Sequence, residues 1–251
     1  MSGVAIVTGA TSGLGRSIAV ALGHAGRSVV VSGRNADEAD ATVTTLHAAG
    51  AEAVAVVGDV TDSSFAASLV EQSVAWGGPL AVVVNAAGVI VRETAEGTTD
   101  DAWRHQMAVN VDAVFYVSRA AVPELRASGG GSIINVSSTC GLVGSTALAG
   151  YCATKGAVIS LTQAMALDHA AENIRVNAVC PGAVDTPMLR SGREKAPMTD
   201  FTIIAMNEQG IPQGRVPGPD EVAGVVAFLA SDAARHITGT ALPIDGGYTA
   251  Q

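Results

Sequence analysis

Aromatic side chains are scarce: Phe, Trp and Tyr make up 4% of the 251 residues, against 48% apolar residues overall. A core without them must be built from Val, Ala, Leu and Ile, the composition of Ala-rich helices packed on Val-rich strands. Cysteine is also rare. Cys140, Cys152 and Cys180 form an odd set without ligand spacing, which excludes a disulfide framework and points to free thiols in a reducing, cytoplasmic compartment. Basic residues are outnumbered, 14 against 23 acidic ones, for a net charge of −9. That balance argues against a nucleic-acid partner, which requires a basic face. No apolar run approaches the ~18 residues of a membrane helix. The first apolar run, Val4–Val7, has no basic leader before it and ends at Thr8-Gly9, so neither a secretion signal nor a membrane partner is expected. The five histidines (His24, His47, His105, His169, His236) lack metal-ligand spacing. Asn135-Val136-Ser137 matches a glycosylation acceptor but lies in an apolar strand, so the match is read as chance.

What is present is a repeated alternation. Short apolar runs at 4–8, 28–32, 53–57, 80–85, 132–137, 174–179 and 241–244 are separated by helix-like stretches at 14–25, 37–49, 63–76, 100–126, 151–172 and 219–230. The runs are continuous rather than alternating, as in parallel strands buried on both faces. The expectation is an α/β chain, one domain over 1–251, with a doubly wound, mainly parallel seven-stranded sheet and helices on both faces. Residues 187–218 break the rhythm and are read as a lid over a binding site.

Three glycines, Gly9, Gly13 and Gly15, stand between the first strand and the first helix, in a loop that includes Thr11, Ser12 and Leu14. Without Cβ atoms there, backbone amides can approach a pyrophosphate at the helix N-terminus. The alternative is a tight turn that happens to be glycine-rich. The second strand is followed by Gly33-Arg34, where a ribose-binding carboxylate would select NAD(H). A guanidinium there instead favours a 2′-phosphate and hence NADP(H); the alternative is a solvated turn residue. Asp59 and Val60 follow the third strand and are candidates for the adenine, with a helix N-cap as the alternative for Asp59. Asn85, Ala86 and Gly88 follow the fourth and allow close approach of the cofactor, with a plain turn as the alternative.

The fifth strand leads into Ser137-Ser138; Tyr151 lies thirteen residues beyond Ser138, and Lys155 four beyond that. Positions i and i+4 share a helix face. An ammonium beside a phenol stabilises the phenolate, pulling the pKa down from ~10 toward a useful range. Ser138, with Ser137 as competitor, could hydrogen-bond the substrate oxygen.

These motifs resemble those of the short-chain dehydrogenase/reductase family. Thr8-Gly9 through Gly15 is similar to its cofactor loop, and Asn85-Ala86-Ala87-Gly88 to its Asn-Asn-Ala-Gly motif with Ala86 replacing an Asn. Asn110, Ser138 and Tyr151 through Lys155 are similar to its catalytic set, and Asn177–Thr186 to its Pro-Gly segment. The resemblance implies a Rossmann-type fold and interconversion of a carbonyl and an alcohol. It implies that Tyr151 is the acid/base and that Lys155 tunes it and holds the nicotinamide ribose. Ser138 would bind substrate, Asn110 would fix a relay water, and Pro181, Gly182, Val184 and Thr186 would touch the nicotinamide half. Asn110 could alternatively be a polar tie between helix and strand. The short Tyr–Lys spacing disfavours carbon–carbon double-bond reduction. The family also implies a homotetramer or dimer. The substrate wall is expected from Cys140, Leu142, Val143, Leu148 and Met188, with Phe201, Ile203, Ile204 and Met206 in the lid; Arg190, Arg193 and Lys195 offer an anion site or a solvated lid surface. Cys140 and Cys152 flank the pocket as packing residues or alkylation-sensitive thiols. The leading expectation is an NADP(H)-dependent carbonyl reductase or secondary-alcohol dehydrogenase acting on a small molecule. The rivals are a 3-oxoacyl-thioester reductase, an NAD-dependent alcohol dehydrogenase, and a dinucleotide sensor without chemistry.

Overall fold

The computed structural model describes residues 3–191 and 210–251. Seven parallel strands form one sheet: β1 (Val4–Thr8), β2 (Ser28–Gly33), β3 (Ala53–Val57), β4 (Leu80–Asn85), β5 (Gly131–Val136), β6 (Ile174–Pro181) and β7 (Ala241–Ile244), in the order β3-β2-β1-β4-β5-β6-β7. The connecting helices are α1 (Gly13–His24), α2 (Ala36–Ala48), α3 (Ser63–Gly77), α4 (Asp100–Met107), α5 (Ala113–Ala127) and α6 (Ala149–His169). The short helix Pro187–Arg190 and the helix Pro219–Leu229 follow.

The continuous apolar runs divide their side chains between two cores. On β1, Val4 and Ile6 join the core on one face while Ala5 and Val7 join the other. On β4 and β5, Val83 and Ile133 face one way and Val82, Val84 and Ile134 the other. Both faces exclude water, so no polar alternation survives in the sequence. Strand β1 pairs with both β2 and β4. The strand order reverses there, and open α/β sheets hold ligands in the crevice beyond the strand carboxyl ends at such a reversal.

Element boundaries differ from expectation by one or two residues; β5, for example, begins at Gly131. The stretch expected as one helix over 100–126 is α4, then a wider π-helical turn at Ala108–Asp112, then α5. Among the described residues no helix is long and apolar enough to cross a membrane, and no cluster of ligating side chains could hold a metal.

Candidate active site

A cavity of about 610 Å³ runs along the carboxyl ends of the strands. Gly9, Thr11, Ser12, Gly13, Leu14 and Gly15 line its middle, Arg34, Asp59 and Val60 one end, and Ser138, Cys140, Val143, Leu148, Tyr151, Lys155 and Met188 the other. Ala86, Gly88, Pro181, Gly182, Val184 and Thr186 complete the wall between.

The middle section fits a pyrophosphate. Helices α2, α3 and α4 are capped by Asn35, Asp62 and Thr99 side chains, but Ser12 makes no side-chain cap for α1, and the first turn of α1 carries no acid. Its first amides therefore keep donor capacity and the positive end of the helix dipole toward the cavity. The approach is close: a Cβ on Gly15 would sit 2.1 Å from the Gly9 carbonyl oxygen. Gly9 has φ +65 and would bring a Cβ to 2.7 Å from the Ala87 backbone. Thr8, at the end of β1, holds the facing loop, its hydroxyl accepting from the amides of Ala86 (3.2 Å) and Ala87 (3.3 Å).

At the far end Arg34 is exposed, and its charge helps to hold the Asp59 carboxyl below its ordinary range, after the larger effect of the Thr61 amide bond. Asp59 Oδ1 accepts from the Thr61 amide at 3.0 Å and the Thr61 hydroxyl at 2.8 Å. The N-cap of α3 is Asp62, which removes the capping alternative for Asp59. Asn35 and Glu38 also line this end, beyond the expected set.

Two expected residues lie outside the cavity wall. Asn85 is 2% exposed and its Nδ2 donates to Ser118 Oγ (3.0 Å) and Asn135 Oδ1 (2.8 Å). Its side chain thus turns into the sheet–helix core rather than the crevice, because two buried acceptors there need a donor. Asn110, on the π-helical turn, is fully buried. Its Oδ1 accepts from the Val89 amide (2.8 Å), while its Nδ2 donates to the Val89 carbonyl (2.9 Å) and to Thr154 Oγ1 (3.0 Å). The Asn110 side chain therefore ties the loop after β4 to α6.

The reactive end is assembled from β5, the turn after it and α6. Tyr151 and Lys155 are 7% and 4% exposed on one face of α6. Lys155 Nζ donates to the Val136 carbonyl at 2.7 Å and lies 5.6 Å from the Tyr151 ring centroid. The two serines part company. Ser137 Oγ donates to the Lys155 carbonyl (2.8 Å). Ser138 Oγ accepts from the Cys140 amide (3.2 Å) and donates to the Pro181 carbonyl (3.4 Å).

The electrostatics correct one expectation. Burial pushes the Tyr151 phenol above its ordinary value, and the neighbouring Ser138 hydroxyl offsets only part of that. The same burial lowers the Lys155 amine to about 8. Desolvation disfavours both charged forms, and an amine that holds its proton less firmly is a weaker partner for a phenolate.

Of the expected substrate wall, Leu142 does not reach the cavity, while Val143, Leu148 and Met188 do. Arg190 pairs with Asp185. Arg193, Lys195, Phe201, Ile203, Ile204 and Met206 lie outside the described residues. Ile90, Arg92, Ser145, Ile211 and Tyr248 also line the cavity. Arg92 donates to the carbonyls of Met188 (3.2 Å) and Ser191 (3.1 Å), joining the loop after β4 to the base of the irregular segment. These residues come from segments distant in sequence and carry no motif.

Comparison with known proteins agrees with this geometry. Residues 9–249 match a family model described as enoyl-(acyl carrier protein) reductase. The chain is 40% identical over 248 residues to a cis-4-hydroxycyclohexanecarboxylate dehydrogenase of Sinomonas cyclohexanicum, covering 98% of this chain and 96% of the relative. It is 38% identical over 249 residues to a cyclohexanol dehydrogenase of Acinetobacter sp., covering 99% and 95%. A crystal structure of an actinorhodin polyketide ketoreductase variant with NADPH superposes with a TM-score of 0.94 at 36% identity, covering 98% and 97%. The chain belongs to the short-chain dehydrogenase/reductase family, oxidoreductases acting on CH–OH groups.

Proposed function

We propose that this protein interconverts a secondary alcohol and its ketone with NADP(H), using Tyr151 as the proton donor and acceptor. The observation that carries the reading is the meeting of Ser138, Tyr151 and Lys155 at one end of a cavity whose other end holds Arg34 and whose middle is the uncapped α1 N-terminus. When bound, the dinucleotide supplies the hydride donor or acceptor and, oxidised, a positive ring beside Tyr151. Gly9 through Gly15 would hold its pyrophosphate, Arg34 a 2′-phosphate, and Pro181, Gly182, Val184 and Thr186 its nicotinamide half. Ser138 Oγ donates to the substrate oxygen and orients it. The Tyr151 hydroxyl gives its proton to that oxygen in reduction and takes it back in oxidation. Lys155 holds positive charge next to the phenol and returns the proton.

Ile90, Val143, Leu148, Met188 and Ile211 give the substrate end an apolar wall. That wall and the relatives named for ring alcohols favour a six-membered alicyclic secondary alcohol or its ketone. Carbonyl reduction is preferred over carbon–carbon reduction because Tyr151 and Lys155 stand only four residues apart on α6, with Ser138 lining the same end of the cavity. A second reading, use of NAD(H), rests on Glu38, an acid at the same end of the cavity as Arg34. Assembly as a homotetramer belongs to the proposal as well.

Initial rates with NADPH and with NADH against cyclohexanone and an acetoacetyl thioester test this. Faster NADPH oxidation with cyclohexanone supports it. Faster thioester turnover moves the substrate to a 3-oxoacyl group, and no loss of nicotinamide absorbance with any carbonyl removes the enzyme reading.

A further inference from the structure

We propose that a second crevice, between the C-terminal ends of α1 and the helix Pro219–Leu229, binds a small aliphatic monocarboxylate on Arg27. The crevice has a volume of about 190 Å³ and is lined by Leu22, Ala25, Arg27, Ala227, Ala230 and Ser231, none of which lines the larger cavity. It lies at the amino ends of the strands, since Arg27 immediately precedes β2. The local sequence puts Arg27 there. Gly26, at φ +82, ends α1 in a left-handed turn, its amide on the Gly23 carbonyl (2.9 Å) and the Arg27 amide on the Leu22 carbonyl (3.1 Å). In this type of helix end the residue after the glycine folds back on the last turn and commonly makes an apolar contact there. Here the position carries a guanidinium, and the residue is only 8% exposed.

A buried charge is ordinarily paired. Among the described residues Arg27 forms no ion pair, and its guanidinium makes one long hydrogen bond, from Nη2 to the Ala230 carbonyl at 3.5 Å. Burial holds the guanidinium below its ordinary value, and the charge of Asp232, beyond ion-pair distance, offsets part of that. Capping the helix does not account for Arg27. Arg175 Nη2 already donates to the carbonyls of Leu229 (2.7 Å) and Ser231 (3.4 Å), and the Ser231 hydroxyl donates to the Phe228 carbonyl (2.7 Å). The chemistry of the crevice selects the ligand. A guanidinium presents two parallel N–H groups to a carboxylate. Leu22, Ala25, Ala227 and Ala230 offer apolar contact to a short alkyl chain behind it. Two helix C-termini meet at the crevice, and their partial negative charge disfavours a dianion such as phosphate. With the Ser231 hydroxyl engaged by Phe228, the further phosphate oxygens would also lack that donor.

Calorimetric titration of the full-length protein with butyrate tests this, against butyramide and inorganic phosphate at matched ionic strength. The expected result is saturable, single-site binding of butyrate, with butyramide and phosphate at least about tenfold weaker. Arg27→Met should weaken butyrate by at least about tenfold, the loss that goes with a hydrogen bond to a charged group. Ala227→Leu fills the crevice and leaves Arg27 in place; it should weaken butyrate likewise, and it carries the test if the Met variant fails to fold. Absence of saturable butyrate binding overturns the proposal. So does butyramide or phosphate binding as tightly as butyrate. Butyrate affinity unchanged in a folded Arg27→Met or Ala227→Leu variant places the ligand elsewhere, the larger cavity included, and overturns it too. No dinucleotide or carbonyl enters the titration, so its outcome is independent of the reading of the active site.

Discussion

Replacing Lys155 by Met should make the protein's stability less dependent on pH. Lys155 is 4% exposed, and burial lowers its amine from 10.5 to about 8. For a base with a depressed folded pKa, the unfolded chain binds more protons between those two values. Stability therefore rises with pH across the window from about 8 to 10.5. The fall from 10.5 to about 8 corresponds to about 3 kcal/mol. Below pH 8 the native state carries that cost in full. The Met variant escapes the cost but loses the Lys155–Val136 bond, worth about 1.5–3 kcal/mol. The two proteins should therefore be nearly equal in stability at neutral pH, with the wild type ahead by about 3 kcal/mol near pH 10.5. Paired urea titrations without dinucleotide at both pH values measure this, because groups common to the two proteins cancel. A stability difference that stays flat from neutral pH to 10.5 would refute the reasoning. The variant should also lose turnover.

Two further perturbations address the cofactor end. Arg34→Ala should weaken NADPH but not NADH; since Arg34 is exposed, solvent screening holds the effect to about 1 kcal/mol, roughly fivefold in affinity. An equal effect on both dinucleotides, by titration of intrinsic fluorescence, would remove Arg34 from cofactor choice. Gly15→Ala places a Cβ 2.1 Å from the Gly9 carbonyl oxygen, and the overpacking should cost about 1–3 kcal/mol while weakening both dinucleotides. Wild-type affinity and melting temperature in that variant would show that the close approach of α1 to β1 is dispensable.

Much of the fold could be read from the sequence because burial on both faces leaves a local mark. Strands such as Leu80–Asn85 and Ala241–Ile244 are bounded as the apolar runs suggest. The π-helical turn holding Asn110 left no mark, since helical periodicity continues through it. Nor did the inward turn of Asn85, which depends on Ser118 and Asn135, residues distant in sequence that supply acceptors only after packing. The glycine loop and the Tyr151–Lys155 pair were visible because each is a short local pattern of fixed spacing. Ile211 and Tyr248 reach the same cavity from after β6 and β7, so only the assembled sheet reveals them. The raised Tyr151 phenol follows the same logic: local spacing shows the neighbouring amine, but only the structure shows the burial that raises the phenol.

The central claim is that Tyr151 moves the proton, and Tyr151→Phe tests it most directly. The substitution removes one oxygen from a side chain that is 7% exposed and leaves the ring packing in place. NADPH affinity should stay within about twofold, while NADPH oxidation with cyclohexanone falls by roughly 10²–10⁴. Turnover at the wild-type rate with the same affinity would contradict the account.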